Sequence, residues 1–293
     1  GVLAAVGQSE VPVWRRPKVA VISTGDEVIG PAEPMQPALV YDSNARMIAD
    51  AVREVGGESL ELGIAIDDES QLRDSLREGL ASADIVVMSG GTSKGEGDLC
   101  YRVVSELQHP GIVVHGVALK PGKPICLAAS NGKPVVVLPG FPTSAIFTFH
   151  EFVIPVIQAY GGRTSHAPTA IQTRLPMRVR SDAGRTEFLL VGLVPGEDMS
   201  GTESLPLAYP MGKGSGSVTS FSRADGFIKL EQETELVAAG ETRTAHLFSR
   251  ELTPADPLIM GSHCPGIDLL LTLLQKHQLH PRLYLLYLFQ FLP

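Results

Sequence analysis

The run Ile85-Val86-Val87-Met88 has no polar residue at alternate positions and ends directly on Ser89-Gly90-Gly91-Thr92-Ser93. A strand with one wet face alternates apolar and polar residues, so a continuous run of this kind requires cover on both faces. Val19-Ala20-Val21-Ile22 is a second such run, and it ends on Ser23-Thr24-Gly25. Helical spacing separates the runs. Met47, Ile48, Ala51, Val52 and Val55 form one stripe after a cap expected at Ser43 or Asn44, and Leu72, Leu76 and Leu80 form another after Asp67-Asp68-Glu69-Ser70. Further strands are expected at about 59–66, 112–117 and 134–138, with a helix from about 99 to 108. A long helix opens at Phe141-Pro142-Thr143-Ser144, with a kink expected at Pro155. Alternating strands and helices over residues 17–162 predict a three-layer α/β/α domain, whose ligands gather at the carboxyl ends of the strands.

Around this domain the texture changes. Residues 1–16 read as a connector, with Pro12, Pro17 and the pair Arg15-Arg16 and no periodicity. Residues 163–252 hold short β-like runs between Gly-, Ser- and Pro-rich turns, which predicts a small all-β barrel or sandwich. From 253 to 293 an apolar helical pattern begins, too short to bury a core alone, and reads as the truncated opening of a further domain.

Composition narrows the function. The formal charge is −8, with 24 basic and 32 acidic side chains, so a nucleic-acid binder, which needs a basic face, is not expected. No apolar run approaches the ~20 residues of a membrane span. Three scattered cysteines form neither a disulfide framework nor a zinc spacing, and a reducing, cytoplasmic setting follows. The eight histidines show no HxH or HExxH spacing, and Ser93 and Ser144 lack a nucleophile elbow, which sets aside zinc and triad hydrolase chemistry.

Four groups of residues carry chemistry. Ser89-Gly90-Gly91-Thr92-Ser93 lies between a strand and a helix, where backbone N–H groups and hydroxyls suit an anion; the same residues also suit a plain turn. Lys120-Pro121-Gly122-Lys123-Pro124 sets two ammonium groups on a stiffened loop, able to converge on an oxyanion or simply to be solvated. Asp26, Glu27, Asp67, Asp68 and Asp98 all follow predicted strands. They can hold Mg²⁺ or a hydroxylated ligand, while Asp67, Asp68 and Asp98 suit helix capping equally well. Pro139 and Pro142, in Leu138-Pro139-Gly140-Phe141-Pro142, fix a strand-to-helix turn that shapes a pocket or serves only as a turn.

In order and spacing these motifs, with Tyr41-Asp42-Ser43-Asn44, resemble the molybdopterin molybdenumtransferase (MoeA/gephyrin) family over residues 1–252. The resemblance implies a molybdopterin-binding domain at 17–162 and a C-terminal β-barrel domain at 163–252, whose most recognisable stretch is Gly214-Ser215-Gly216 leading to Ser222-Arg223-Ala224-Asp225-Gly226-Phe227. It implies the insertion of molybdate into adenylylated molybdopterin with release of AMP. On this reading Ser89, Gly90, Gly91, Thr92, Ser93, Asp26, Pro139 and Pro142 bind the pterin substrate, and Lys120 and Lys123 attract molybdate. Glu27, Asp67 and Asp98 hold Mg²⁺ and serve catalysis. The alternatives are a module that binds molybdopterin without turnover and a CinA-like hydrolase of related fold. The resemblance also implies a homodimer in the full-length protein, with sites completed by N-terminal domains of the partner. Phe141 stands where the family often has Asn. The tail from Ile259 resembles the start of a periplasmic-binding-like domain fused to some prokaryotic members, broken off here.

Overall fold

In the computed structural model, residues 1–90, 99–163, 169–197, 203–211, 218–248 and 265–276 are described. The chain divides into two compact units. The first comprises Gly1–Gly116, Pro124–Gly140 and Thr148–Ser165; the second comprises Val117–Lys123, Phe141–Phe147 and His166–Pro293. The chain therefore passes between the units several times, where the sequence suggests one boundary near 162.

The first unit is built on a six-stranded sheet. Its strands are β1 (Lys18–Thr24), β2 (Glu58–Ala65), β3 (Ile85–Ser89), β4 (Pro110–His115), β5 (Cys126–Ser130) and β6 (Lys133–Leu138), in the order β2-β1-β3-β6-β5-β4. The pairs β1–β2, β1–β3 and β3–β6 are parallel. The continuous apolar runs predict this arrangement, because both faces are covered. Ala20, Ile22, Val86 and Met88 on one face pack with Leu72 and Leu76 of α2 (Glu69–Ser82) and with Cys100, Val103 and Val104 of α3 (Leu99–Ser105). Val19, Val21, Ile85 and Val87, which point the other way, are buried as completely. So are Ile48 and Val52 of α1 (Asn44–Glu54), and Phe149, Val153 and Ile157 further along the chain.

Two expectations need correction, and a third gains detail. β5, absent from the sequence reading, runs antiparallel to both of its neighbours, so the sheet is mixed. It turns into β6 through Asn131 (φ 51) and Gly132 (φ 80), an Asn-Gly pair whose positive φ values make a tight hairpin. Helix α1 does begin at Asn44 after Ser43, but the side chain that caps it is Asp42, whose Oδ1 accepts from Ala45 N–H at 3.0 Å. Finally, the long helix expected from Phe141 is helical throughout but changes its hydrogen-bond spacing, and Pro155 lies at the start of its last segment, α5 (Ile154–Tyr160). The stretch begins as α4 (Pro142–Thr148) and widens into a π-turn at Phe149–Val153 before α5. Proline has no N–H to give, and here it falls directly after the widened turn, where the spacing of the helical bonds already changes.

In the second unit, β7 (Ala170–Arg174), β8 (Thr186–Glu197), β9 (Glu203–Pro210), β10 (Gly226–Leu230) and β11 (Thr242–Leu247) are paired in the order β9-β7-β11-β10-β8. β8 pairs in turn with β9, which completes a circuit of strands. Inside it lie Leu175, Leu189, Val191, Leu193, Ile228, Leu230 and Ala245. The short strand Leu119–Lys120 extends the sheet beside Thr186 and Glu187 of β8. This pairing, with the ring contacts of Phe147 to Phe188, Phe221 and Phe227, is why two short segments from the middle of the chain belong here. Of the tail, the described part is the helix Pro265–Lys276. No helix among the described residues is long and apolar enough to cross a membrane.

Candidate functional site

Strand register builds the site in the first unit. Thr24 pairs with Ala65, Ser23 with Ser89, and Ser89 with Leu138, so the carboxyl ends of β2, β1, β3 and β6 finish abreast. Each is followed by a loop carrying candidate residues: Gly25-Asp26-Glu27, Asp67-Asp68, Gly90 and Pro139-Gly140. Parallel strands end together on one edge, and their exposed turns form one rim.

Hydrogen bonds tie the loops to one another. Gly25 N–H donates to Ala65 O at 3.2 Å, Asp67 N–H to Asp26 Oδ1 at 2.9 Å, and Gly90 N–H to Leu138 O at 3.2 Å. Thr24 Oγ1 donates to the carbonyl of Ser89 at 3.4 Å. Asn44, at the start of α1, donates from Nδ2 to both Ser89 Oγ and Gly140 O, each at 2.8 Å. Gly90 adopts φ +117, and a Cβ there would lie 2.2 Å from Thr24 O. Only glycine meets both demands, since L side chains avoid that φ and the backbone beside it leaves no room.

The two neighbouring aspartates separate into different roles. Asp68 Oδ1 accepts from Gln71 N–H at 2.9 Å and caps α2. Asp67 instead faces Asp26 and Glu27. Its carboxyl is held above the usual carboxylate range, first by partial burial and then by those two negative charges, while an N–H from Asp26 pulls the other way. Among the described residues, no three His, Cys, Asp or Glu side chains are grouped so as to hold a metal ion. Glu27 and Asp67 are hard oxygen donors of the kind Mg²⁺ takes, and their mutual repulsion is what a cation relieves.

The structure thus brings Asp26, Glu27, Asp67, Ser89, Gly90 and Pro139 to one rim. Gly91, Thr92, Ser93 and Asp98 lie outside the described residues. Lys120, Lys123 and Pro142 belong to the second unit. There Lys120 Nζ lies 2.7 Å from Asp182 Oδ2 and 3.7 Å from Glu187 Oε2, and Ser181 Oγ donates to Glu187 Oε2 at 2.8 Å. Val117 N–H closes the loop on Lys123 O at 2.9 Å, and the Lys123 side chain is exposed. Pro142 opens α4. Asn44 is the rim residue whose part the sequence does not disclose. Its place in Tyr41-Asp42-Ser43-Asn44 marks a helix start, but its partners lie 45 and 96 residues away.

Comparison with known proteins agrees along most of the chain. Residues 20–159 match the family described as probable molybdopterin binding domain, and residues 172–248 match the MoeA C-terminal region (domain IV). The molybdopterin molybdenumtransferase of Haemophilus influenzae is 31% identical over 251 residues, 85% of this chain and 61% of that protein. That of a Nostoc species is 35% identical over 194 residues, 64% of this chain and 44% of that protein. The chain spans about half the length of the curated relatives it matches. Among solved structures, the molybdopterin biosynthesis moea protein from Pyrococcus horikosii is similar with a TM-score of 0.70 and 39% identity, over 85% of this chain and 58% of that one.

Proposed function

We propose, for a chain that belongs to the molybdopterin molybdenumtransferase (MoeA) family, that it acts in molybdenum cofactor biosynthesis by inserting molybdate into adenylylated molybdopterin with release of AMP. The observation that carries this reading is the rim: four strand ends held abreast, with Gly90 at a positive φ beside Ser89 and an acidic edge at Asp26, Glu27 and Asp67. N–H and hydroxyl donors at 89–93 suit the anionic groups of a pterin phosphate, with Pro139 and Pro142 shaping the turn beside it. Asp26 accepts hydrogen bonds from a hydroxylated or N–H-bearing guest. Lys120 and Lys123 supply cations for molybdate, and the carboxylate of Asp182 at Lys120 is exposed enough for an anion to compete with it.

Glu27, Asp67 and Asp98 are the residues we assign to Mg²⁺, which when bound would neutralise charge on a pyrophosphate. Support comes from the oxygen donor set and from the raised Asp67, whose repulsion a cation would remove. A cytoplasmic homodimer of the full-length protein belongs to the same reading.

The test is incubation of the chain with adenylylated molybdopterin, Mg²⁺ and molybdate, with AMP followed by chromatography. AMP release supports the transferase. Tight binding without release supports a holding module instead, and failure to bind the pterin at all refutes the assignment of the rim.

A further inference from the structure

We propose that Asn44 is a positioning residue that locks the loops after β3 and β6 together and turns the Ser89 hydroxyl into a hydrogen-bond donor for the guest of the rim. This rests on the reading of the rim as the pterin site.

Asn44 is buried, and its amide nitrogen serves two acceptors at once, Ser89 Oγ and Gly140 O, each at 2.8 Å. The orientation of the amide is settled by chemistry. A backbone carbonyl only accepts, so the NH₂ and not the oxygen must face Gly140. The second amide hydrogen then goes to Ser89 Oγ, which must accept. The Ser89 proton is thereby left over, and Ser89 is only 3% exposed, so it cannot simply be given to bulk water. A buried hydroxyl with its oxygen already occupied is poised to donate, which is what an anionic or carbonyl oxygen requires.

The second half of the device is mechanical. A Cβ on Gly140 would lie 3.6 Å from Gly90 Cα, so at these glycines the turns after β3 and β6 run close enough that a single methyl would bring them into contact. Gly90 N–H is bonded to Leu138 O. The Asn44 amide therefore bridges the two turns where glycines face each other, beside the bond from Gly90 N–H to Leu138 O. Its own Oδ1 is buried and has no hydrogen-bond partner. Such a group costs stability, which a purely structural position would tend to shed and a positioning role explains.

The test uses the whole chain and molybdopterin as probe, with Asn44→Asp, Ser89→Ala and the double variant. A carboxylate at position 44 keeps the shape but cannot donate to Gly140 O. We expect each single variant to weaken molybdopterin binding about tenfold, and the double variant to be no weaker than the worse single one, because both remove the same donor. Additive losses would overturn the proposal. Hydrogen exchange without ligand supplies the other arm. Asn44→Asp should speed exchange at the amide of Gly90 while leaving Val21 and Val87 protected, and unchanged exchange at Gly90 would equally overturn it. If the wild-type chain does not bind molybdopterin, the assignment of the rim fails, and the exchange arm still decides whether Asn44 clamps the two turns.

Discussion

Replacing Gly90 by alanine tests whether the rim is as tightly set as its geometry says. The added Cβ would lie 2.2 Å from Thr24 O and 2.7 Å from Thr24 Oγ1, closer than real Cβ contacts come. Thr24 is only 2% exposed, at the end of β1 between β2 and β3, so its carbonyl has nowhere to retreat. Holding a non-glycine residue near φ +117 costs roughly 1–3 kcal/mol, and forcing a methyl into packed backbone costs a similar amount. We therefore expect a loss of about 3 kcal/mol, equivalent to a fall in Tm of about 10 °C for a unit of this size. Gly63→Ala is the matched control. Gly63 also has a positive φ, +88, but its Cβ would meet nothing within 4 Å, so strain alone should cost about 1 kcal/mol. Native-state hydrogen exchange at the amides of β1 and β3 isolates the stability of the first unit from that of the second. Equal losses in the two variants, or a Gly90→Ala loss below about 0.5 kcal/mol, would refute the close approach of Gly90 to Thr24.

Three further outcomes follow from the charges. The raised carboxyl of Asp67 means that the folded state holds its proton more tightly than the unfolded chain, so this contribution favours folding at low pH and is lost as pH rises through the folded pKa. Asp67→Asn should accordingly raise Tm at pH 7 but not at pH 3, and Mg²⁺ should raise Tm of the wild type more than that of the variant; a Tm that falls at pH 7 would contradict the repulsion. Asp84 behaves in the opposite sense, held below the usual range by the Arg15 guanidinium and the Lys18 N–H. Its contribution is present above the unfolded carboxylate pKa and lost as pH falls through the folded one, so Asp84→Asn should cost about 1–2 kcal/mol in urea unfolding at pH 7, a difference that shrinks steadily as pH is lowered below the ordinary carboxylate range. Lys120→Met removes the ammonium beside Glu187, whose side chain is 5% exposed, and should destabilise the second unit by about 2 kcal/mol, whereas the exposed Lys123→Ala should change stability by less than about 0.5 kcal/mol. Equal stability of those two variants would remove the structural part assigned to Lys120.

By itself the amino-acid sequence determined what depends on neighbours along the chain. Val19–Ile22 and Ile85–Met88 have no wet face, so they become central parallel strands wherever the rest of the chain goes. Leu72 and Leu76 fall on one side of a helix through its period, and Gly90 marks a turn that only glycine can make. The hairpin at Asn131-Gly132 was missed, because the strands it joins are short and mixed in character, although an Asn-Gly pair is the local signal for such a turn. Other features were settled by tertiary structure alone. Asp67 and Asp68 are adjacent and chemically identical, yet one caps α2 and the other faces Asp26 and Glu27, because the entry angle of the helix decides which side chain reaches Gln71 N–H. Lys120 acquires Asp182 and Glu187 only because a two-residue strand pairs with β8. Asn44 meets Ser89 and Gly140 only because the register of three parallel strands brings their ends level. Local pattern sets which residues form an element, whereas hydrogen-bond register between distant segments sets which side chains meet, and no spacing along the chain encodes that.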